Sequence, residues 1–204
     1  VNPYVFFNIL SNFLKPNDLI LPDASANLIW AYQALKPKKG QKIFTALNHS
    51  PMGYSVAAAV GAQFSNMKRN VIAIIGDGSM QMNVQELETI SYNKLPIKIF
   101  IINNGGYALI KGTQEGFLSK NYVGVDKSSG LGIPDFEKVA YAYGIKYEKI
   151  SINNELNSKL SKFLTQNIPI IFDIMVDPDQ RVIPKLESGK VLHEMAPNLD
   201  QKII

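Results

Sequence analysis

The sequence predicts an α/β protein with an open, mostly parallel sheet of six strands and helices on both faces. Short runs rich in β-branched residues alternate with longer stretches of helical spacing, and the runs at 71–75 and 97–102 are almost wholly apolar. Alternation of this kind is typical of consecutive βαβ units. Continuous apolar runs are typical of strands that are buried on both faces.

These two patterns assign the elements in order along the chain. They predict strands at 19–21, 43–46, 71–75, 97–102, 146–150 and 170–176, and helices at 24–35, 54–66, 83–93, 135–143 and 154–166. Pro134 precedes the fourth helix, at a position where the missing N–H of proline costs nothing. The residues after Val176 have little periodicity. We therefore predict one domain at 1–176, with 177–204 as its extended C-terminal arm containing one short helix.

The composition is that of an ordinary globular protein. The chain has 204 residues, of which 46% are hydrophobic and 19% charged, and this length fits one domain with a sizeable core. The absence of cysteine excludes disulfides, thiolate zinc sites and iron–sulfur clusters. The apolar runs are far shorter than the roughly 20 residues of a membrane helix. Since no secretory signal is visible either, we expect no membrane contact and a cytoplasmic location.

The positive charge does not indicate a nucleic-acid partner. The net charge is +4, and all but Arg69 and Arg181 of the 21 basic residues are lysines scattered along the chain. Proteins that read nucleic acids cluster their charge on one face and use arginine for bidentate contacts. We therefore expect a solvated lysine-rich surface.

Two polar clusters follow the third and fourth predicted strands. Gly76-Asp77-Gly78-Ser79 ends the first, and Asn103-Asn104-Gly105-Gly106 ends the second, one βαβ crossover later. The carboxyl ends of neighbouring parallel strands meet at the same edge of a sheet, which is where open α/β sheets bind ligands. The two clusters should therefore lie together.

The clusters offer the groups of a magnesium–diphosphate site. Asp77 supplies carboxylate oxygens, Asn104 supplies an amide oxygen, and the following glycines leave a backbone carbonyl unobstructed. The N–H groups of Gly78 and Ser79 open a helix and form an anion site. Few oxygen ligands beside a phosphate suit Mg²⁺. The alternative is that both clusters are ordinary loops. A dinucleotide G-x-G-x-x-G motif is missing, and Lys111-Gly112-Thr113 does not match a P-loop.

Gly76-Asp77-Gly78, followed after 24 residues by Asn103-Asn104, resembles the thiamine-diphosphate motif. The resemblance continues at 51–54, 81–87, 131–136, 176–180 and 192–195. It is to the C-terminal, pyrophosphate-binding domain of the acetolactate-synthase-like branch of thiamine-diphosphate enzymes. It implies the thiamine-diphosphate-binding fold, thiamine diphosphate and Mg²⁺ as cofactors, and a part in an enzyme that decarboxylates or ligates 2-oxo acids such as pyruvate.

The same resemblance implies roles for individual residues. Asp77 and Asn104 would hold Mg²⁺ through their side chains, and Gly106 would do so through its carbonyl oxygen. Leu109 and Ile110 would lie near the thiazolium ring. Met52 would bend the cofactor, and Ser50 would face the aminopyrimidine. The residues implied to contact the diphosphate are Ser25, Ala26, Asn27, Gly76, Gly78 and Ser79.

The resemblance also implies what the chain lacks. In this family a glutamate of the pyrimidine-binding domain activates the cofactor, and nothing here matches that domain. We therefore assign no catalytic residue to this chain and expect it to be inactive alone. Its expected partner is a pyrimidine-binding domain of the same or another chain, within a homo-oligomer.

Substrate specificity stays open at this stage. Thr113 stands where acetolactate synthases place a tryptophan, so a decarboxylase or carboligase of another specificity is an alternative. The β-type subunit of a split 2-oxo acid decarboxylase or oxidoreductase and a non-catalytic phosphate-binding module are further alternatives. Among other candidate residues, Glu86 is expected to be solvated or packed and His49 to cap or pack rather than face substrate. His193 would help to close the tail, and Tyr107 and Phe117 would be wall residues.

Overall fold

One six-stranded sheet, all of whose strands are parallel, organises the chain. The computed structural model describes residues 1–186, 189–191 and 194–197. The sheet has the order β2-β1-β3-β4-β6-β5. Its strands are β1 Leu19–Pro22, β2 Lys42–Ile43, β3 Val71–Gly76, β4 Lys98–Asn103, β5 Lys146–Ile150 and β6 Ile170–Met175. The predicted fold class and the pairing of the third strand with the fourth are confirmed.

Helices cover both faces of this sheet and bury two separate apolar layers. The helices are α1 Pro3–Phe13, α2 Ala26–Ala34, α3 Tyr54–Ser65, α4 Asp77–Met80, α5 Glu86–Tyr92, α6 Ala108–Phe117, α7 Phe136–Ala142 and α8 Leu156–Phe163. One layer contains Phe6, Trp30 and Phe163, from α1, α2 and α8. The other contains Val56, Leu87 and Phe136, from α3, α5 and α7. Both faces of β3 and β4 are therefore covered, which is why their sequences hardly alternate.

Besides the four-residue α4, the sequence prediction missed two longer helices, α1 and α6. The first, α1, begins where the Asn2 side chain accepts hydrogen bonds from the N–H groups of Tyr4 and Val5, with Pro3 at the first helical position. That is a recognisable N-terminal signal. The second, α6, contains Gly112 and Gly116, which lower helix propensity and hide its pattern.

Most predicted elements differ by one to three residues from the observed bounds, and the second strand and the third helix are two examples. The second strand was predicted at 43–46, but β2 ends at Ile43 and the chain then leaves the sheet edge as a loop. The helix predicted at 83–93 begins only at Glu86, because a 3₁₀ turn at Gln81–Asn83 precedes it. The loop matters for the site, because it carries the 50–53 turn to the carboxyl ends of the strands.

The arm after Val176 returns along the first layer of helices. It pairs β7 Lys185–Leu186 with β8 Met195–Ala196 in an antiparallel ladder. No helix forms among the described residues of the arm, and the short helix predicted for 177–204 stays a prediction for the residues outside them. Tyr4 Oη accepts a hydrogen bond from the Ile183 N–H at 2.6 Å. In the part of the chain that the structure describes, no helix is long and apolar enough to cross a membrane.

Candidate functional site

A cavity of about 180 Å³ opens at the carboxyl ends of β1, β3 and β4. Its walls contain every residue that the sequence singled out for metal or cofactor binding. These are Ser25, Ala26, Asn27, Ser50, Met52, Gly76, Asp77, Gly78, Ser79, Asn104, Gly106, Leu109 and Ile110. The structure thus brings together four separate segments of the chain, while the role given to each residue stays a prediction.

Asp77 is the only carboxylate among these wall residues and is almost completely buried, with 1% of its surface exposed. Its Oδ1 accepts from the N–H of Gly78 at 2.6 Å, and its Oδ2 accepts from the N–H groups of Gly105 and Gly106 at 2.7 and 3.0 Å. Burial raises the pKa of Asp77 to about 6, against the opposing effect of these hydrogen bonds. A carboxylate has about four lone-pair sites, so one remains for a further partner.

Two positions of the motif have room only for glycine, because atoms of other residues lie very close to the backbone there. A Cβ on Gly78 would lie 2.1 Å from Cε1 of Tyr107, and a Cβ on Gly106 would lie 2.1 Å from the backbone oxygen of Val125. The first approach places the Tyr107 ring against the start of α4, and the second closes the loop after β4. Both glycines therefore keep the backbone of the two polar clusters together.

The turn between β1 and α2 adds buried polar atoms to the same cavity. Asn27 Nδ2 donates to the carbonyl of Ala24 at 2.6 Å. Asn27 Oδ1 and Trp30 Nε1 are both buried, and neither has a hydrogen-bond partner among the described residues. A buried donor or acceptor without a partner costs free energy, so these two atoms are unusual features of the cavity wall.

Two cavity serines have backbone conformations that L-residues rarely adopt. Ser25 has φ 70° and ψ −155°, and Ser50 has φ 42°. Such conformations cost about 1–3 kcal/mol and are found mainly where a site demands them. Ser25 ends the turn that leads into α2, and Ser50 lies just before Met52, so both conformations shape the cavity wall.

Asp23 is the residue of this region that sequence reasoning missed. It is fully buried after β1, and its carboxylate accepts from the N–H groups of Gly53 at 3.1 Å and Ser55 at 2.9 Å. Its backbone oxygen also accepts from Thr45 Oγ1 at 2.8 Å. Asp23 therefore ties the 50–53 turn and the start of α3 to the sheet. The sequence feature that could have identified Asp23 is its position just after the first predicted strand.

Of the other candidate residues that the structure describes, only Tyr107 lies in the wall of this cavity. Glu86 is half-buried at the start of α5, and His49 is exposed in the loop after β2. Tyr107 is a wall residue as expected, whereas Phe117 lies in the wall of a second cavity. His193, for which a closing role was predicted, lies outside the described residues.

The donor set fits a hard divalent cation next to a phosphate. Within the part of the chain that the structure describes, no group of three or more His, Cys, Asp or Glu side chains is arranged to hold a metal ion. A cation in this cavity would therefore depend on Asp77 together with the neutral oxygens of Asn104 and Gly106. One carboxylate with neutral oxygens is a ligand set typical of Mg²⁺ that shares its shell with phosphate.

Comparison with known families supports the motif. The family model for the C-terminal TPP-binding domain of thiamine pyrophosphate enzymes matches residues 23–174. Thiamine pyrophosphate and thiamine diphosphate are the same compound.

The chain belongs to this family of TPP-binding domains. The matched region begins at Asp23 and ends in β6, so it contains every wall residue named above. The resemblance inferred from the motif is thereby confirmed.

Its relatives include acetolactate synthase large subunits. That of Cyanidium caldarium is 34% identical over 173 residues, which is 85% of this chain and 29% of that protein. That of Pyropia yezoensis is 34% identical over 190 residues, or 93% of this chain and 32% of that protein. The isozyme 2 large subunit of Escherichia coli K12 is 30% identical, over 91% of this chain and 33% of that protein. The TPP-binding domain described here thus spans about a third of the length of these relatives.

Proposed function

We propose that this chain binds the diphosphate end of thiamine diphosphate together with Mg²⁺, as part of an acetolactate-synthase-like enzyme that acts on 2-oxo acids. The observation that carries this proposal is the buried Asp77 carboxylate. It is held by three backbone N–H groups, keeps one lone-pair site, and lies in a cavity lined by two glycine-rich strand ends. Family membership and relatives named acetolactate synthase support it.

The residues of the chain would bind and orient the cofactor. Asp77, Asn104 and the Gly106 carbonyl would hold the cation, and the N–H groups of Gly78 and Ser79 would bind diphosphate oxygens. A cation beside Asp77 favours the ionised carboxylate, so it would offset the burial that raises the pKa of this group to about 6. Metal and diphosphate are therefore expected to bind together rather than separately.

The remaining walls would exclude water from the reacting end. Bound thiamine diphosphate supplies the carbanion chemistry that 2-oxo acid cleavage needs. Met52, Leu109 and Ile110 add apolar side chains to the cavity wall. The described residues that line this cavity include no second carboxylate and no histidine, so proton transfer would depend on groups from elsewhere in the enzyme.

The partner that this proposal requires is a pyrimidine-binding domain. Several apolar side chains are exposed, among them Ile110 of the cavity wall, Phe117 of the second cavity, and Phe44 and Leu47 of the loop after β2. Clustered exposed apolar residues mark interaction surfaces. A pyrimidine-binding domain, from the same or a second subunit of a homo-oligomer, would cover them and complete the site. Pyruvate is the first substrate to test.

Titration calorimetry with Mg²⁺ and thiamine diphosphate tests the binding part of the proposal. We expect weak heat with the chain alone, present only when both are added, because one of the two cofactor-holding domains is missing. Asp77→Ala should abolish this signal, and Asp77→Asn should weaken it without unfolding the chain. The matched control is Glu86→Ala, outside the cavity, which should bind like the wild type.

Two results would contradict the proposal. Equal behaviour of the Asp77 and Glu86 variants would show that the ligand assignment is wrong. For the enzymatic part, CO₂ release from pyruvate is measured with the chain alone and with a separately expressed pyrimidine-binding domain added. Steady release by the chain alone would show that an activating acid is present in this domain.

A further inference from the structure

The turn after β4 contains a pair of residues that is chemically reactive by itself. Asn104 is followed by Gly105, and this is the only Asn-Gly pair in the 204-residue sequence. The backbone nitrogen of the residue after an asparagine can attack the asparagine's side-chain amide, which makes asparagine a thermolabile residue. Glycine favours the attack, because it has no side chain to obstruct ring closure and its backbone turns freely.

The structure leaves this pair accessible to water. It lies between the end of β4 at Asn103 and the start of α6 at Ala108, so neither residue belongs to a helix or to the sheet. Gly105 is exposed, and Asn104 is half-buried in the wall of the cavity at the carboxyl ends of β1, β3 and β4, the cofactor cavity. Gly105 has φ 76°, and a Cβ built on it would meet no atom of the described residues within 4 Å.

Two oxygen atoms hold the nitrogen that would make the attack. The N–H of Gly105 donates to Asp77 Oδ2 at 2.7 Å and, more weakly, to Asn103 Oδ1 at 3.3 Å. The nitrogen attacks only after losing its proton, and its negative charge would then lie next to the buried Asp77 carboxylate. Two like charges in contact destabilise each other, most strongly where burial lowers the local dielectric. Asp77 therefore opposes the attack.

We propose that Asn104 is a site of spontaneous deamidation and that Asp77 restrains this reaction in the folded chain. The Gly105 nitrogen forms a bond to Cγ of Asn104, and the bond from Cγ to the side-chain nitrogen breaks. The proton lost by Gly105 leaves with that nitrogen as ammonia, and a five-membered succinimide remains. Water then opens the succinimide at either of its carbonyl groups, which gives aspartate at position 104 or its isoaspartyl isomer.

Either product would change the cofactor cavity. Each adds a carboxylate to a wall whose only carboxylate among the described residues is Asp77, so a diphosphate would be repelled more strongly. The isoaspartyl product also lengthens the backbone by one carbon just before Gly106, whose carbonyl is a proposed cation ligand. This consequence rests on the proposed function, whereas the reaction itself does not. A chain without its cofactor would therefore lose its binding site with age.

Incubation of the 204-residue chain at mildly alkaline pH, without metal or cofactor, tests the reaction. Peptide mass spectrometry measures the rate at each asparagine. In denaturing urea Asn104 should deamidate faster than any other asparagine, because nothing holds Gly105 there. In the folded chain its rate should be at least tenfold lower. Asp77→Ala should raise the folded-state rate at least threefold, and Asp77→Asn, which keeps an uncharged acceptor, should give an intermediate rate.

The matched control is Asp23→Ala. It removes another buried carboxylate that accepts from two backbone N–H groups, those of Gly53 and Ser55, and it leaves the bonds to Gly105 in place. At a temperature where circular dichroism shows all variants to be folded, its rate at Asn104 should stay within twofold of the wild type. If Asp77→Ala does not fold, the comparison of Asp77→Asn with Asp23→Ala decides.

Three results would overturn the inference. Equal rates at Asn104 in the folded chain and in urea would show that the fold does not restrain it. A rate in Asp77→Ala no higher than in the wild type would show that Asp77 does not oppose the attack. Equal acceleration by Asp23→Ala would assign the effect to general loosening. If calorimetry finds no cofactor binding by fresh chain, the proposed function fails and the deamidation result stands.

Discussion

Replacing Asp23 by alanine should destabilise the chain more than the loss of an ordinary helix cap. The carboxylate is fully buried and accepts from two backbone N–H groups, those of Gly53 and Ser55. Its removal leaves two buried donors without a partner, at about 1–3 kcal/mol each. Relief of the buried charge, whose desolvation raises the pKa of Asp23, offsets part of this cost. We expect a net loss of about 2–4 kcal/mol.

Urea unfolding followed by circular dichroism measures this loss. With a slope of about 2 kcal/mol per molar urea for a chain of this size, the midpoint should fall by about 1–2 M. Asp23→Asn keeps one acceptor and should lose about half as much. Asp135→Ala provides the matched control, because Asp135 also accepts from two backbone N–H groups, those of Glu137 and Lys138, but at the exposed start of α7. It should cost about 1 kcal/mol.

Comparing the stability lost in Asp23→Ala with that lost in Asp135→Ala tests whether the buried N–H groups depend on Asp23. If Asp23→Ala costs no more than Asp135→Ala, the buried N–H groups are satisfied in another way and Asp23 does not hold the 50–53 turn. If the cost is as expected, the same variant should also lose Mg²⁺–thiamine diphosphate binding at temperatures where it stays folded, because Ser50 and Met52 are no longer held in place.

Three further predictions follow from single positions. Ser25→Gly should stabilise the chain by about 1 kcal/mol, since φ 70° strains serine, and should raise Tm by about 2–4 °C; an unchanged or lower Tm contradicts this. Gly106→Ala should lower the free energy of unfolding in urea by about 1–3 kcal/mol, because the added Cβ would overlap the backbone oxygen of Val125. A variant as stable as the wild type would show that this overlap does not occur. Burial raises the pKa of Asp173 in the folded chain above its value in the unfolded chain. The folded chain therefore holds this proton more tightly, and the free energy of unfolding falls as the pH rises from the unfolded pKa to the folded pKa. Asp173→Asn keeps an oxygen that can accept the hydrogen bond from Tyr147, and this variant should not lose stability between pH 4.5 and pH 7.5 when its Tm is measured at both. If the Tm of the variant changes with pH as the Tm of the wild type does, Asp173 is not the source of that change.

The cofactor site could be predicted to a large extent because its residues follow strand ends. Gly76–Ser79 and Asn103–Gly106 lie one βαβ crossover apart, and the parallel pairing of β3 with β4 places both carboxyl ends at the same edge of the sheet. The structure accordingly shows Asp77 accepting hydrogen bonds from Gly105 and Gly106. Asp23 could not be predicted in the same way, because no local motif links it to Gly53 and Ser55, which lie 30 and 32 residues away at the start of α3.

By itself the sequence determined the parallel sheet, the family and the residues at the cofactor cavity, since apolar periodicity and a local motif carry that information. Only the tertiary structure decided the short β2, the covering helix α6 and the second cavity. The wall of that cavity joins α6 to an arm more than 60 residues later through the Arg181–Glu115 pair. Such a contact depends on how the chain returns over the helices, and local sequence patterns do not record the meeting of two distant segments.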